Sequence, residues 1–257
     1  LSVSLMAEIN PSYDAFAGDY DAGKNQVVFD RLAADLDTPV SLMLKLGGAD
    51  GRDAFILESV TGGEVRGRYS IIGVKPDVIW QCRGDASEIN RTARFDRDAF
   101  SPVDGSPLDA LRTLIAESTI DLPLDLPAAA AGLFGYLGYD MIRLEERLPD
   151  VNPDPLALPD AVMFRPSVVA VLDGVKGEVT VVAPAWASSG LSAKAAYAQA
   201  AERVMDAVRD LERPAPAETR RLGEAAPQPE PVSNFSKDEY LAAVEKARDY
   251  IKAGDIF

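Results

Sequence analysis

Ile56-Leu57-Glu58-Ser59-Val60-Thr61-Gly62-Gly63-Glu64-Val65-Arg66-Gly67-Arg68-Tyr69-Ser70-Ile71-Ile72-Gly73 is the stretch on which the fold turns. An apolar run ends in a carboxylate and a hydroxyl, a Gly-Gly pair makes a turn, and an Arg-flanked second apolar run returns, which is the pattern of a β-hairpin. On the residues alone two readings of its polar end stand. One is a pocket for a small zwitterion; the other is a hairpin whose strands merely finish in polar residues.

Outward from the hairpin, residues 54–59, 69–74 and 77–82 read as three strands separated by Gly and Pro, so sheet built from sequence neighbours, and therefore antiparallel, is expected. Residues 161–172 and 175–183 flank Asp173-Gly174, a strong hairpin signal. Val28, Leu32 and Leu36 recur at helical spacing before Asp37-Thr38-Pro39, which predicts a helix over residues 26–36. Val40, Leu42, Leu44 and Leu46 alternate with Ser41, Met43 and Lys45, which predicts a strand ended by Gly47-Gly48.

Ser106-Pro107-Leu108-Asp109 places a hydroxyl at the N-cap, proline at the first helical position and an acid in the first turn, so a helix to about Glu117 follows. Gly132, Gly135 and Gly138 interleaved with Phe134, Tyr136 and Tyr139 suggest a strand that another backbone or large side chain approaches closely. This run lacks the spacing of a phosphate loop. Asn152 to Pro159 is extended loop, and Tyr197, Ala201, Val204, Val208 and Leu211 mark an amphipathic helix. Cys82, beside Trp80 in an apolar strand, reads as inert core.

Composition limits function. The 257 residues are 47% apolar, enough for one large domain or two smaller ones with a real core. Forty-one acidic residues against 26 basic ones give a net charge of −15, which repels polyanions, so neither nucleic acid nor an anionic membrane is an expected partner. A single cysteine excludes an intramolecular disulfide and a multi-cysteine zinc site. With no signal peptide and no long apolar run, a cytoplasmic location is expected.

The chain has no histidine. Ser-His-Asp, Cys-His and His-ligated metal arrangements are thereby excluded, and any proton chemistry would fall to perturbed carboxylates or lysines. The expected organisation is a disordered N-terminus or leftover segment at 1–10, a domain at 11–211, a Pro-rich linker at 212–232, and at 233–257 the opening helix of a second domain. Ser236-Lys237-Asp238-Glu239 is a capping box and Gly254 a fitting helix terminator. Because Asp255-Ile256-Phe257 only begins a further element, the sequence is expected to be a fragment.

Together, residues 56–59, 67–73, 132–140, 152–159 and 235–257 occur in the order found in anthranilate synthase component I, and the chain resembles that family from about Asn10 to Phe257. The resemblance implies an α+β fold, mainly antiparallel sheet flanked by helices. It implies conversion of chorismate, with ammonia supplied from glutamine by an amidotransferase subunit (component II), to anthranilate and pyruvate in tryptophan synthesis, within a hetero-oligomer. The family's catalytic histidine, chorismate ligands and Mg²⁺-binding glutamates come later than these residues, so no catalytic or metal-binding residue is expected here and the piece alone is expected to be inactive.

The resemblance also implies that Leu57, Glu58 and Ser59 form part of the feedback tryptophan site, with Arg68, Tyr69 and Ser70 contributed by the facing strand. Glu58 would suit the ligand's α-ammonium. Against this, Arg66 and Arg68 could equally pair with local acids, and Glu58-Ser59 could simply end a strand. Aminodeoxychorismate or isochorismate synthase, and a stand-alone amino-acid-binding module, are the competing readings.

Overall fold

The computed structural model describes residues 8–47, 51–58, 67–149, 153–214 and 229–257. The chain divides into two units, 1–217 and 218–257. In the first unit, helices α1 (Tyr13–Asp21), α2 (Pro39–Leu46), α3 (Pro107–Glu117) and α4 (Ala193–Glu212) accompany eight strands. The strands are β1 (Gln26–Ala33), β2 (Phe55–Leu57), β3 (Tyr69–Arg83), β4 (Ala86–Asn90), β5 (Ser101–Val103), β6 (Phe134–Leu137), β7 (Ala161–Asp173) and β8 (Glu178–Ala185). They form one antiparallel sheet in the order β1-β8-β7-β3-β4-β5, with β2 added to β3 and β6 to β7. The fold is therefore α+β, antiparallel sheet flanked by helices.

Two stretches are the reverse of what their periodicity predicts. Residues 26–33 are a strand: Val27, Val28, Phe29 and Asp30 are all buried, because the first half of β1 is covered on both faces, and a doubly covered strand shows no alternation. Residues 39–46 are a helix. Thr38 Oγ1 accepts from the Ser41 amide at 3.1 Å, and Ser41 Oγ accepts from the Thr38 amide at 2.9 Å. With Pro39 at the first helical position, this capping box fixes a helical start, and the pair buried at i and i+4 is Leu42 and Leu46.

The two strands predicted over 69–74 and 77–82 are one strand of 15 residues, and the proline that suggested a break is accommodated by a bulge. Pro76 stands opposite Pro166, so neither partner has an amide proton to offer the ladder. The register then slips between Pro76 and Val78, leaving Asp77 as the extra residue on β3. One extra residue inverts which face each later side chain takes. Ile72 and Val74, before the bulge, pack in one core with Phe16, Leu42, Val168, Ala170, Val181 and Val204 under α1, α2 and α4. Val78, Trp80 and Cys82, after it, pack with Leu111, Leu114 and Met141 under α3 on the opposite face. A third cluster, Val27, Phe29, Val169, Val171 and Val182 with Leu126 and Ala130, shares that second face.

The β7–β8 connection spans four residues rather than the two expected of Asp-Gly. Asp173 Oδ1 accepts from the amides of Val175 at 3.0 Å and Lys176 at 3.2 Å, and Gly177 supplies a left-handed φ of 65° before β8 starts. The glycines of the 132–138 run act as their pattern predicts. A side chain at Gly135 would collide with the Val162 carbonyl, and one at Gly138 would lie 2.8 Å from that of Asp160. Helix α3 matches its predicted span, although the Ser106 side chain makes no capping bond. The second unit contains α5 (Lys237–Ala253), opened by the Ser236/Glu239 capping box and closed by Gly254 at φ 83°.

Candidate functional site

Of the six residues expected to touch tryptophan, the five that the structure describes lie at one end of the β2–β3 pair, but not on one surface. β2 registers Phe55, Ile56 and Leu57 against Gly73, Ile72 and Ile71. Leu57 is half exposed, Glu58 is exposed, and Ser59 lies outside the described residues, as does Arg66. Tyr69 and Ser70 are neighbours on β3, so their side chains take opposite faces. Ser70 is 8% exposed and stands opposite Leu172, on the face covered by α1, α2 and α4. Tyr69 stands opposite Asp173 and is partly exposed.

Arg68 is engaged within the fold. Its Nε lies 3.0 Å from both Asp173 oxygens and its Nη2 2.6 Å from Oδ2, a forked pair whose carboxylate side chain is only 11% exposed. The Arg68 guanidinium also sits 5.1 Å from the centre of the Tyr69 ring, and its carbonyl accepts from the Gly174 amide at 2.9 Å. Hydrogen bonding from Arg68, reinforced by the Val175 and Lys176 amides, holds the Asp173 carboxyl below its ordinary pKa despite burial. The sequence left open whether Arg68 meets a ligand or a local acid; the structure gives it an acid, and Asp173, 105 residues away, could not be singled out among 41 acidic residues.

Beside Tyr69, Arg31 and Asp125 form a second pair at 2.5 Å, which lowers the Asp125 pKa. The cavity that Tyr69, Arg31, Asp125, Asp173 and Thr180 line is only about 40 Å³, room for a few waters, against roughly 300–1,000 Å³ in ordinary ligand pockets. Across Gly73, however, the hairpin is tightly built. The Phe55 ring occupies the space a side chain at Gly73 would take, and it stacks on Phe134 with centroids 4.6 Å apart. Thus β2, the glycine of β3 and the start of β6 are locked together, and this lock fixes where Leu57 and Glu58 emerge.

A larger cleft of about 580 Å³ lies at the far end of β3, between Arg83, Gly84, Asp140, Arg143, Asp154 and Asp160. The loop of alternating prolines forms one wall. Arg83 donates to the Ala157 carbonyl at 2.6 Å, the Gly84 amide to Asp160 at 2.6 Å, and Ala157 itself adopts a left-handed φ of 47°. Arg143 donates to Asp140 and to the carbonyls of Leu148 and Pro149. Each named cation is thus already engaged by the fold.

Among the described residues no group of three or more His, Cys, Asp or Glu side chains is placed to hold a metal ion. No helix among them is long and apolar enough to cross a membrane.

An antiparallel sheet flanked by helices, with β2 added beside β3, is the frame of this chain. The description "chorismate binding enzyme" applies to a family model that matches residues 55–257, and the chain belongs to that family. Its relatives carry a narrower name. The chain is 70% identical over 246 residues to anthranilate synthase component 1 of Cereibacter sphaeroides, covering 96% of this chain and 49% of that protein. It is 33% identical over 259 residues to the Synechocystis protein of the same name, covering 97% and 50%. The crystal structure of anthranilate synthase component I from Streptococcus pneumoniae superposes with a TM-score of 0.54 at 23% identity, covering 88% of this chain and 46% of that one, a likeness of fold. The chain spans about half the length of the curated relatives it matches. The motif-based resemblance to this enzyme is thereby shown.

Proposed function

We propose that this chain is the regulatory portion of the large subunit of anthranilate synthase. The whole enzyme converts chorismate and ammonia, delivered from glutamine by a component II amidotransferase subunit, to anthranilate and pyruvate in the cytoplasm. The observation that carries this reading is 70% identity over 96% of the chain to a protein named anthranilate synthase component 1.

The division of labour follows from chemistry. With no histidine and no metal cradle among the described residues, this portion has no evident group for proton transfer at neutral pH or for charge neutralisation at a carboxylate-rich substrate. Those tasks belong to the half of its relatives that this chain does not span, where Mg²⁺ would bind. What this portion offers is an exposed carboxylate, Glu58, at a rigidly anchored hairpin end. A carboxylate that is partly desolvated by a second wall makes a charge-assisted hydrogen bond to an ammonium group worth about 1.5–3 kcal/mol.

Leu57, Glu58 and Ser59 supply one wall of a tryptophan site in this reading, and the cavity of about 40 Å³ beside Tyr69 is consistent with the rest coming from elsewhere. Tyr69 and Ser70, on opposite faces, serve it as hairpin framework, and Arg68 braces the wall through Asp173. A ligand held between two domains shifts their populations by no more than its differential affinity, typically about 1–3 kcal/mol.

The test is an anthranilate fluorescence assay with chorismate, Mg²⁺ and ammonia. The 257-residue chain should be inactive, while a polypeptide of its relatives' full length carrying this sequence should be active and inhibited by tryptophan. Anthranilate formation by the 257-residue chain, or tryptophan affinity by calorimetry equal in both, would overturn the reading.

A further inference from the structure

A second polar site lies on the other side of the sheet's end, away from the hairpin. β7 and β8 pair in register only as far as Val169↔Val182. Continued by the same register, Ser167 would face Pro184; instead the two line a cavity of about 200 Å³, roofed by α4. Pro184 has no amide proton to extend the ladder, and its carbonyl is taken by Arg203 Nη2 of α4 at 2.6 Å.

Ser167 and Arg203 both line this cavity, and each carries a polar atom buried without a hydrogen-bond partner among the described residues: Ser167 Oγ, on a residue only 4% exposed, and Arg203 Nε. Buried donors left unpaired are uncommon and carry a desolvation penalty that a ligand would remove. Burial, and next the charge of Arg94 on the cavity's rim, pull the Arg203 pKa down to about 10. It remains charged at neutral pH; Asp77 and Glu202 act on it only through space, and no carboxylate among the described residues bonds to it. The one acid on the lining, Asp77, is held by Arg165 at 2.8 and 3.1 Å. On the lining itself, then, Arg94 and Arg203 outnumber the one acid, which is already paired. The remaining wall is mostly apolar, with Trp186, Leu191, Ala196 and Phe95, and carries two neutral polar residues, Ser189 and Gln199.

Charge calls for an anion, and the walls call for carbon. Inorganic phosphate would meet the arginines but leave the apolar surface without a partner, whereas a carboxylate on a compact apolar body satisfies both. We propose that the cavity between Ser167 and Arg203 binds a small organic carboxylate, its oxygens accepting from Arg203 Nε and Ser167 Oγ and its body resting against Trp186 and Leu191. The site is separate from the hairpin and does not depend on the reading of that hairpin.

Benzoate is the probe, titrated into the 257-residue chain by calorimetry and by tryptophan fluorescence. Trp186 lines the cavity, while Trp80, the other tryptophan, is fully buried in a different core. Saturable benzoate binding with a fluorescence change is expected, at least about tenfold weaker in Arg203→Met, which loses the charge-assisted contact. Because Arg203→Met also releases the Pro184 carbonyl and could unfold the unit, Gln199→Glu is the second variant: it sets a negative charge on the cavity's exposed rim and should weaken benzoate several-fold in a folded chain. No saturable binding, undiminished binding in Gln199→Glu, or phosphate binding as tightly as benzoate would each overturn the proposal.

Discussion

Arg68 grips Asp173 with a forked pair, Nε to both carboxylate oxygens at 3.0 Å and Nη2 to Oδ2 at 2.6 Å, and so ties the start of β3 to the turn that ends β7. The carboxylate is nearly buried and the guanidinium about a third exposed, so the pair lies between the negligible surface case and the strongly coupled interior one. Removing the charge in Asp173→Asn should cost about 1–3 kcal/mol in denaturant unfolding at pH 7, the scale of hydrogen bonds to charged groups.

The sign of its pH dependence follows from the depressed Asp173 pKa. The folded-state pKa lies below the unfolded value of about 3.9, so the stabilisation is fully present above that value and is lost as pH falls through the folded pKa. The stability gap between the native sequence and Asp173→Asn should hold from pH 7 to about 5 and close in more acidic solution. A gap that is unchanged at pH 2.5 would show that Asp173 stabilises the turn by some means other than its charge.

Gly73 gives a second test, because its missing side chain is where the Phe55 ring lies. Gly73→Ala forces that ring away from Phe134 and should destabilise by about 1–3 kcal/mol, the usual scale of overpacking. Phe55→Ala removes the obstacle along with the stacking. The double variant should therefore be more stable than the sum of the two single losses predicts, by at least about 0.5 kcal/mol in a thermodynamic cycle. Strict additivity would mean that the ring and the glycine are not coupled.

Much of this architecture was legible where one face of an element meets water. Helix α3 matches its predicted span and α4 buries Ala201, Val204, Val208 and Leu211 of its predicted stripe, and the glycines of β6 announced a close backbone approach. Legibility failed where burial was two-sided or local capping overrode period. The first half of β1 is buried on both faces and so shows no alternation, while Leu36, which completed the helical spacing, lies beyond the strand and is fully exposed. In α2, Val40, Leu42, Leu44 and Leu46 mimicked a strand, although Thr38-Pro39 and Ser41 held the helix-start signal. Of the hairpin site, the strand ends could be read, but Arg68's partner is 105 residues distant, and pairing at such range leaves no local trace. The Ser167–Arg203 cavity was unreadable for the same reason: it exists because β7 and β8 part company, a fact of register and not of pattern.

Cys82 supplies a third prediction. It is fully buried, its Sγ approaches the Gly84 carbonyl at 3.4 Å, and burial, followed by the charges of Asp160 and Asp85, pushes its pKa up. Thiolate is the reactive form, and here it is disfavoured on both counts. The native chain should leave a disulfide reagent unreacted at pH 8 for as long as it stays folded, with one equivalent released on denaturation. Prompt reaction in native buffer would contradict the packing of β3 against α3.

The bulge at Asp77 makes the most demanding prediction, because one residue there decides which of two cores each later side chain of β3 enters. Deleting Asp77 while keeping the β3–β7 ladder would turn Val78, Trp80 and Cys82 to the face opposite α3, away from Leu111 and Leu114. Relocating a fully buried tryptophan forfeits burial on the scale of a Trp→Ala change, about 3–5 kcal/mol, before the two other side chains are counted, and a domain's whole stability is only about 5–15 kcal/mol. The deletion should therefore leave no cooperative unfolding transition and no near-ultraviolet dichroism from an ordered Trp80. Asp77→Asn is the control. It keeps the extra residue and weakens only the bond to Arg165, whose side chain is 9% exposed, so it should lose stability yet retain the dichroic signal. If the deletion and the substitution unfold alike with intact signals, the bulge does not set the register, and the continuity of β3 must rest on something other than Asp77.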